Sequence, residues 1–358
     1  MKICFLAPAD NYHTRKWCEY FTNKGHQVDV ISFTDGKIEN VKVHYLDCKV
    51  KTTDSDIKKI RYLSKIRQVK KIIKNINPDI INAHYATSYG MVAALCGVEY
   101  VLSVWGSDVY DFPKKSILHK IYFKYLIKKS TYILSTSKSM KNEISKYTKK
   151  QIYITPFGVK MDLFKPNRKK HKKFIIGTIK ALKDKYGIQY IVEAASIIKK
   201  ERPDIDLKIR IAGKGDKEQE YKGLAEKLNV KVDWLGYISQ DQAAYEWANM
   251  DIAIIPTINN ESFGVSAVEA EACETALIVS DVSGLLETTN SKSRVVIPQK
   301  DAEKLANAII YLYDNPKKRI KMGIEGRKYV EKRYEYKKCF DDIEKLFFKI
   351  IKRSIWMD

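Results

Sequence analysis

The stretch that decides how the second half of this chain folds is Ile252-Ala-Ile-Ile-Pro-Thr-Ile-Asn-Asn-Glu-Ser-Phe-Gly-Val-Ser-Ala-Val-Glu269. Its first five residues are apolar and predict a buried strand, and after a polar loop a helix is predicted from Ser262 to Ala272. A helix start presents free N–H groups and about half a positive charge, which suits a phosphate or pyrophosphate. Strand, loop and helix in this order form the repeating unit of a parallel sheet with helical crossovers.

The rest of the chain continues this alternation of short β-rich runs and amphipathic segments, which predicts an α/β fold with two Rossmann-like domains. We expect the first domain over residues 1–165 and the second over 174–339. The stretch 166–173 is polar and basic after Pro166 and is the predicted linker. Because open α/β sheets bind ligands at the carboxyl ends of their strands, the expected site lies in a cleft where the two domains face each other.

The composition excludes several classes of protein. The chain has 358 residues, of which 45% are hydrophobic, and no run reaches the roughly 18 apolar residues of a membrane span. Its apolar start is too short for a signal peptide. The six cysteines stand singly, which argues against a disulfide scaffold and a structural zinc site and favours a reducing, cytoplasmic compartment. The formal net charge of +22 indicates anionic partners or, alternatively, a lysine-rich proteome.

Two carboxylates flank the predicted helix start. Glu261 lies just before the helix and Glu269 within its second turn. The two carboxylates could accept hydrogen bonds from hydroxyl groups on either side of a bound pyrophosphate. This layout suits a nucleotide-sugar donor, with Glu269 on the ribose and Glu261 on the sugar. The donor-binding residues expected at the helix start itself are Ser262, Phe263, Gly264 and Val265. The alternative is a capping carboxylate followed by a surface glutamate.

The segment from Glu261 to Glu269 resembles the E-x7-E motif of family-4 retaining glycosyltransferases with the GT-B fold. Other segments similar to motifs of that family occur in the same order along nearly the whole chain. They are Asn77–His84 ("kPDiihaH"), Ile154–Pro166 ("IPNGVD…F.P"), Ala212–Gly215 ("AGxG"), Leu235–Tyr237 ("LG") and Val279–Glu287 ("S…GG..E"). Each match is weak alone, but five in order at about the right separations are specific.

The resemblance implies a metal-independent transferase without a cofactor. The second domain would bind a nucleotide-sugar, expected to be a UDP-sugar, and transfer the sugar with retention to a glycan or lipid-linked acceptor in the first domain. Retention in similar enzymes depends on positioning and electrostatics, so Glu261 is not expected to act as a nucleophile.

Two lysines match the family's "GRL..EKG" segment. Lys180 and Lys185 have its five-residue spacing, with Lys180 in place of an arginine, and fixed cations there would stabilise the leaving diphosphate. Lys183 is the alternative to Lys180 if the loop aligns differently, and both matches could also be ordinary surface lysines. The resemblance further places the nucleobase between Tyr237 and the turn of Gly213 and Gly215, a turn that is otherwise an ordinary tight one.

The first domain departs from the family pattern. Its first loop lacks the usual glycine pair, and His13 and Arg15 at the following helix start are expected to bind the acceptor, unless that helix is simply capped with a solvated arginine. Trp105 stands where the family's "HG.D" turn has its histidine. Asp108 of that turn remains and is expected to bind acceptor hydroxyls or orient a basic residue. His84 is an acceptor candidate or, equally, a core histidine.

Two segments carry charge of one sign. Residues 57–76 contain eight lysines and arginines and no acid, and residues 114–130 contain six lysines and no acid. In the second segment, Ile117, Ile121 and Tyr125 form the face opposite the lysines. A basic amphipathic helix is typical of a membrane surface element, so both segments are expected to meet anionic lipid. The alternative is a crossover helix whose apolar face packs on its own sheet.

The last segment, 340–358, has apolar residues at helical spacing and is expected to pack back on the first domain. One rival interpretation is an isomerase similar to UDP-N-acetylhexosamine 2-epimerases, which is disfavoured because the motifs match transferases. The other is a non-enzymatic, basic nucleic-acid-binding protein. No recognised nucleic-acid motif occurs, and this interpretation leaves the two glutamates unexplained, so no specific nucleic acid is expected as a partner.

Overall fold

A computed structural model describes residues 1–50, 54, 56–167, 169 and 172–355 of the protein. The chain divides into two units. The first comprises Met1–Phe157 and the chain from Lys337 onward, and the second comprises Gly158–Tyr336. Each unit is built on one parallel sheet, so the predicted class of two Rossmann-like α/β domains is confirmed.

The first unit contains a seven-stranded sheet in the order β3-β2-β1-β4-β5-β6-β7. Single helical turns occur at Ile60–Lys65 (3-10), Tyr85–Gly90 (π) and Phe112–Lys114 (3-10). The regular elements are β1 (Lys2–Leu6), α1 (Tyr12–Asn23), β2 (Gln27–Ser32), β3 (Lys42–Tyr45), α2 (Asp56–Lys59), α3 (Ile66–Ile76), β4 (Ile80–His84), α4 (Met91–Cys96), β5 (Val101–Val104), α5 (Ser107–Tyr110), α6 (Ile117–Lys129), β6 (Tyr132–Ser135), α7 (Lys138–Ser145) and β7 (Ile152–Ile154).

The second unit contains a six-stranded sheet in the order β10-β9-β8-β11-β12-β13. A 3-10 turn covers Asp184–Tyr186. The regular elements are β8 (Phe174–Ile179), α8 (Ile188–Glu201), β9 (Leu207–Ala212), α9 (Glu218–Lys227), β10 (Val232–Gly236), α10 (Gln240–Asn249), β11 (Ile252–Ile255), α11 (Val265–Ala272), β12 (Ala276–Ser280), α12 (Ser283–Thr288), β13 (Arg294–Ile297), α13 (Ala302–Asp314) and α14 (Pro316–Arg333), after which α15 (Tyr336–Ile355) ends the described chain.

The boundary between the units differs from the predicted linker at 166–173. It falls between Phe157 and Gly158, because the next residues already belong to the second unit. The backbone of Val159 is hydrogen-bonded to Tyr334 and Tyr336 at 2.7 and 2.9 Å, and Phe164 is buried. Residues 168, 170 and 171 of the predicted linker lie outside the described residues.

The predicted helix over residues 57–76 is not continuous. A 3-10 turn, Ile60–Lys65, separates α2 from α3. Within this turn Tyr62 is buried and stacks on Phe33 at 4.1 Å, whereas Ile60 is 54% exposed. The burial of the Tyr62 ring in the core therefore fixes the backbone of this basic segment at the 3-10 turn. The charge pattern of the segment did not indicate this interruption of the helix.

Helix α6 has a different core face from the one its sequence suggested. Phe123, Leu126 and Ile127 are buried, whereas Ile117 is 66% and Ile121 is 58% exposed. The alternative in which Ile117, Ile121 and Tyr125 pack on the sheet is therefore wrong for this helix, because a second set of apolar residues supplies its core contacts.

Helix α15 packs on α1 through aromatic rings. Phe347 is buried and its ring is parallel to that of Phe21, with centroids 5.4 Å apart, and Phe340 meets Trp17 edge-on at 5.2 Å. Polar contacts flank this seam, since the Glu344 carboxylate lies 2.6 Å from the His26 ring. The C-terminal helix thus completes the hydrophobic core on this side of the first unit.

We predict that Phe347→Ala lowers the free energy of unfolding of the first unit by about 3–5 kcal/mol, because it opens a cavity in a buried aromatic seam. Denaturant unfolding monitored by Trp fluorescence measures the loss. Phe348→Ala is the matched control, since the neighbouring ring is 44% exposed, and its effect should stay within about 0.5 kcal/mol. Equal losses in the two variants would contradict the packing described here.

Candidate active site

The candidate site of the second unit lies where its sheet changes direction. Strands β8 and β11 are neighbours, but the chain leaves them toward opposite edges of the sheet, and ligands of such sheets bind at this switch point. Lys180 follows β8 directly, and Glu261 lies in the loop after β11. Their side chains meet with Lys180 Nζ 2.6 Å from Glu261 Oε2, and only 10% and 11% of the two side chains is exposed.

Both partners of this pair are held in their charged forms. Burial disfavours the charge on Glu261, but the Lys180 ammonium, helped by Lys185, overcomes burial and holds the pKa of Glu261 below its ordinary value. Burial likewise opposes the charge on Lys180, yet Glu261, Tyr186 and Glu269 together raise the pKa of Lys180. The switch point therefore carries a fixed ion pair.

Tyr186, which the sequence analysis missed, organises the two predicted cations. Lys180 Nζ lies 4.6 Å and Lys185 Nζ 5.1 Å from the centre of its ring. Cation–π attraction of this kind holds ammonium groups near an aromatic face. The structure thus brings Lys180 and Lys185 together, whereas Lys183 is exposed. The sequence did contain a signal, because Tyr186 directly follows Lys185 within the recognised segment.

The loop that carries Glu261 is anchored at several points. The Ser262 amide donates to Glu261 Oε1 at 3.2 Å, and the Ser266 hydroxyl donates to the carbonyl of Ile179 at 2.8 Å. Phe263 is only 1% exposed, and its ring lies 5.1 Å from that of Tyr334. Its side chain is therefore an anchor and does not face a ligand, which corrects the expectation for this residue.

Helix α11 begins three residues later than predicted. It starts at Val265, which is half-buried, after Gly264 in the left-handed conformation with φ of +70°. Glu269 lies in its second turn, as expected, and is buried with 6% exposure. The interpretation of Glu269 as a surface glutamate is therefore wrong.

Gly213 and Gly215 have a structural reason to be glycines that the sequence did not reveal. A Cβ atom at Gly213 would lie 1.9 Å from the carbonyl oxygen of Lys180, and one at Gly215 would lie 2.0 Å from that of Leu182. These glycines thus let the turn after β9 pack against the backbone that carries Lys180. Tyr237, at the end of the adjacent strand, has an exposed ring (80%) beside this turn, and the Gly213 amide donates to the Gly236 carbonyl at 2.7 Å.

Gly284 is a second positioning residue that sequence reasoning missed. A Cβ atom there would lie 1.8 Å from the carbonyl oxygen of Glu261. The first turn of α12 therefore presses directly against the backbone of the carboxylate residue. The motif match at Val279–Glu287 contained this glycine, but only the close approach explains why a glycine is needed.

The first unit has an aromatic pocket at the equivalent edge of its own sheet. Its switch point lies between β1 and β4. A cavity of 190 Å³ opens there, and its lining comes from segments after β1, β4 and β5 and from the stretch around Ile60. We call it the aromatic pocket; it is lined by Pro8, Asn11, Lys59, Tyr62, Tyr85, Ser88, Tyr89 and Trp105.

His13 and Trp105 lie close together near this pocket. The His13 ring stacks on Phe157 at 4.2 Å and lies 5.7 Å from Trp105. Burial, and then Lys16, lowers the pKa of His13 to about 3, so its ring is neutral at physiological pH. Arg15 is exposed, with its Nε 3.3 Å from the carbonyl of Ala9. The Asn11 side chain caps α1 by accepting from the His13 amide at 2.8 Å.

His84 is a core residue and not an acceptor contact. Its ring is 0% exposed, packs 5.1 Å from Trp17, and has its Nε2 2.9 Å from Asn82 Oδ1. Burial lowers the pKa of His84 to about 3. The enclosed His84 ring packs against Trp105, with the two ring centres 4.7 Å apart, and so helps to position the Trp105 ring.

Asp108 is likewise a framework residue. It is 0% exposed, and its carboxylate accepts from the amides of Ala86, Trp105 and Gly106 at 2.9–3.2 Å. Burial raises the pKa of Asp108 although these amides favour its charged form. Asp108 therefore ties the loops after β4 and β5 together and does not contact acceptor hydroxyls, which corrects the sequence expectation. Among the described residues, no cluster of His, Cys, Asp or Glu has an arrangement that could hold a metal ion.

Two protein-family models match this chain. Residues 2–137 match the model described as "Glycosyl transferase 4-like", and residues 159–329 match the one described as "Glycosyl transferases group 1". Among curated relatives, an uncharacterized glycosyltransferase of Methanocaldococcus jannaschii is 25% identical over 90% of this chain and 89% of its own length. A capsular polysaccharide biosynthesis glycosyltransferase, CapM of Staphylococcus aureus, is 26% identical over 66% of this chain and 67% of its length.

Solved structures share the fold. Sucrose-phosphate synthase from Thermosynechococcus elongatus matches with a TM-score of 0.87 and 17% identity over 99% of this chain and 100% of that one. Anabaena HepE, solved in complex with UDP and glucose, matches with a TM-score of 0.78 and 14% identity over 98% of this chain and 100% of that one. These likenesses extend over essentially the full length of both units.

We predict that Gly284→Ala lowers the free energy of unfolding by about 1–3 kcal/mol, because the added methyl group overlaps the Glu261 carbonyl. Gly223→Ala is the matched control. Gly223 lies on exposed α9 with open space around it, so its substitution should raise helix stability by up to about 1 kcal/mol. Denaturant titration measures the free energy of unfolding of both variants. If Gly284→Ala leaves this free energy unchanged, the contact does not constrain Glu261.

Proposed function

We propose that the second unit of this chain, which belongs to the 4-like, group 1 glycosyltransferases with the GT-B fold, binds a UDP-sugar. The sugar would be transferred with retention of its anomeric configuration. The chain's activity is glycosyl transfer in polysaccharide or glycoconjugate synthesis. We infer that the acceptor is a glycan or a lipid-linked glycan bound by the first unit.

The observation that carries the donor proposal is the ion pair of Lys180 and Glu261 at the switch point. A nucleoside diphosphate gains negative charge as the glycosidic bond breaks, and fixed cations stabilise that charge without having to reorganise. Lys180 and Lys185, gathered around Tyr186, are the cations for this role. The Glu261 carboxylate would accept hydrogen bonds from sugar hydroxyls, and with Lys180 beside it, its charge is already engaged by a cation, which argues against a nucleophilic role.

The remaining donor contacts follow from the layout of the loops. Glu269, buried one turn into α11, would accept from the ribose hydroxyls. The amides of Gly264 and Val265 would meet the phosphates. Ser262, whose amide donates to Glu261, would contribute its hydroxyl, and buried Phe263 would contribute only its backbone. The exposed Tyr237 ring beside the Gly213 and Gly215 turn would stack on the nucleobase. The UDP complexes of Anabaena HepE support uracil as the base.

The acceptor proposal rests on the first unit. The aromatic pocket offers ring faces that suit the C–H faces of a sugar, with Trp105 and Tyr85 at its wall. His13 is neutral and lies beside Trp105, so it can donate or accept a hydrogen bond with an acceptor hydroxyl. Arg15 would bind an anionic group of the acceptor. Asp108 and His84 hold this arrangement in place without contacting the substrate.

We further propose that the first unit attaches to an anionic membrane surface. Helix α6 exposes Ile117, Leu118 and Ile121 together with lysines such as Lys120 and Lys124, which is the composition of an interfacial helix. Helix α3 exposes further lysines of the basic segment: Lys70, Lys71 and Lys74. In the described chain, no helix has the length and hydropathy that crossing a bilayer requires. We also propose a reducing, cytoplasmic setting, because the six cysteines stand singly in the sequence and are all buried.

For the donor site, we predict that UDP raises the thermal midpoint of the wild-type protein and that Lys180→Met weakens UDP binding by roughly 10- to 100-fold, as expected for a lost charge-assisted contact. Calorimetric titration measures the affinity. Lys183→Met, an exposed lysine in the same loop, is the matched control and should bind as the wild type does.

Lys180→Met leaves Glu261 buried without its cation, so the double variant with Glu261→Gln keeps the test valid if the single variant unfolds. Equal UDP affinity in wild type and the double variant would contradict the assignment of Lys180, and a midpoint shift with GDP- or ADP-sugars only would contradict uracil. Turnover that survives EDTA and a product whose anomeric proton keeps the donor's configuration by NMR are the results expected for metal-independent retention.

For membrane attachment, we predict that the protein floats with vesicles of phosphatidylglycerol and phosphatidylcholine but not with phosphatidylcholine alone. Ile121→Glu should abolish flotation, because it puts a carboxylate into the apolar face that would enter the lipid. Ile320→Glu, at a 53% exposed position in α14 of the second unit, is the control and should float normally. Flotation of the Ile121→Glu protein would exclude α6 as the attachment surface.

A further inference from the structure

The first unit has a second cavity that the proposed donor and acceptor contacts do not use. It is an open groove of 380 Å³, a volume within the range of small-molecule sites. We call it the apolar groove; most of its lining is Ile60, Leu63, Met91, Phe112, Leu118 and Tyr122. Such a concave apolar surface suits a hydrocarbon group better than a sugar, since it offers few partners for hydroxyls.

The apolar groove and the aromatic pocket share two chain segments as walls, and each cavity is lined by different residues of those segments. In the stretch around the first 3-10 turn, Lys59 and Tyr62 line the aromatic pocket, whereas Ile60 and Leu63 line the groove. In the turn after β4 the same division recurs, with Tyr85 and Ser88 toward the pocket and Thr87 and Met91 toward the groove. One molecule with a polar head and an apolar tail could therefore occupy both cavities across this shared wall.

The shared wall has an unusual backbone. Tyr85 has a φ of +72°, a conformation that a bulky residue rarely adopts, and it begins a π-helical turn that runs to Gly90. Both features are concentrated at functional sites in proteins. The hydroxyls of Tyr85 and Ser107 are hydrogen-bonded, and the Ala86 amide donates to Asp108, so this conformation is held by α5, which follows the neighbouring strand β5.

Cations lie at the wall and along the groove. Lys59 Nζ lies 5.7 Å from the centre of the Tyr85 ring, on the pocket side, and Lys115 Nζ lies 5.6 Å from the centre of the Phe112 ring, which lines the groove. Between β5 and α6, the exposed acidic residue is Asp111, whereas Asp108 is buried. The charge on Lys59 complements a phosphate positioned between a sugar in the pocket and a chain in the groove.

The groove is continuous with the surface proposed to meet lipid. Leu118 lines it and is also 72% exposed, next to Ile117 and one turn before Ile121. Ile60, at the other side of the groove, is 54% exposed. A chain lying in the groove could thus pass directly into the apolar layer of a membrane.

We infer that the apolar groove binds the hydrocarbon chain of a lipid-linked acceptor, with the lipid phosphate at Lys59 and the sugar head in the aromatic pocket. This inference rests on the proposed glycosyl transfer to a lipid-linked acceptor and specifies how such an acceptor is held. Its occupant is a single-chain lipid phosphate, and a second copy of the protein or a partner helix is the competing occupant.

The test is calorimetric titration of the full chain with dodecyl phosphate, kept below its micelle concentration, against methyl phosphate. Dodecyl phosphate is expected to bind at least about tenfold more tightly than methyl phosphate, because only it buries a chain. Leu118→Glu should remove this advantage. Ile121→Glu, at a 58% exposed position on the same helix that does not line the groove, should keep it. Lys59→Met should weaken binding of dodecyl phosphate but not of dodecanol.

Equal affinity for the two phosphates, or a Leu118→Glu protein that binds as the wild type does, would overturn the inference. An equal loss in Leu118→Glu and Ile121→Glu would also overturn it, because it would indicate adhesion to the exposed helix face. Self-association by light scattering that Leu118→Glu abolishes would assign the groove to a second copy. The titration needs no donor, so its outcome is separate from the UDP titration that tests the proposed function.

Discussion

The buried ion pair between Lys180 and Glu261 is the constraint on which the proposed donor site depends. Two charges withdrawn from water are tolerated only when each is paired and their surroundings fix the geometry. The surrounding loops meet that demand in several ways: the turn of Gly213 and Gly215 supports the backbone of Lys180, Gly284 supports that of Glu261, and Tyr186 lies beneath the two ammonium groups. An anionic ligand that enters this place finds cations already oriented, which is the condition for electrostatic stabilisation of a leaving group.

The first unit uses the same topological rule with different chemistry. Its switch point also lies at the carboxyl ends of neighbouring strands, but it is surrounded by aromatic rings in place of an ion pair. Buried polar residues hold those rings: Asp108 binds three backbone amides, and His84 lies beneath Trp105. Because Asp108 and His84 are both fully enclosed, they set the positions of their neighbours and are not accessible to a substrate.

Helix α6 lines the apolar groove and also lies at the surface of the first unit. It has two apolar faces, one formed by Phe123, Leu126 and Ile127 in the core and one formed by Ile117, Leu118 and Ile121 in solvent. A helix needs only the first to pack on its sheet. The exposed face, mixed with lysines and adjoining the apolar groove, is therefore not needed for this packing, and the proposed attachment to lipid would account for it.

The sequence alone determined the fold class, the strand and helix on either side of Glu261, and the family motifs, because the alternation of apolar strands and amphipathic helices and the order of short motifs are local patterns. It also placed Lys180, Lys185, Glu261 and Glu269 as candidates. It left open whether His84 is a core residue, and it did not predict strand β13, the burial of Asp108, or the roles of Tyr186 and Gly284. Only the tertiary structure decided which residues pack against other segments of the chain and which are exposed. Gly284 matters because Glu261 lies against it, and Ile117 is exposed because other side chains of α6 fill the core. Such contacts join residues far apart in the chain, and no local pattern encodes them.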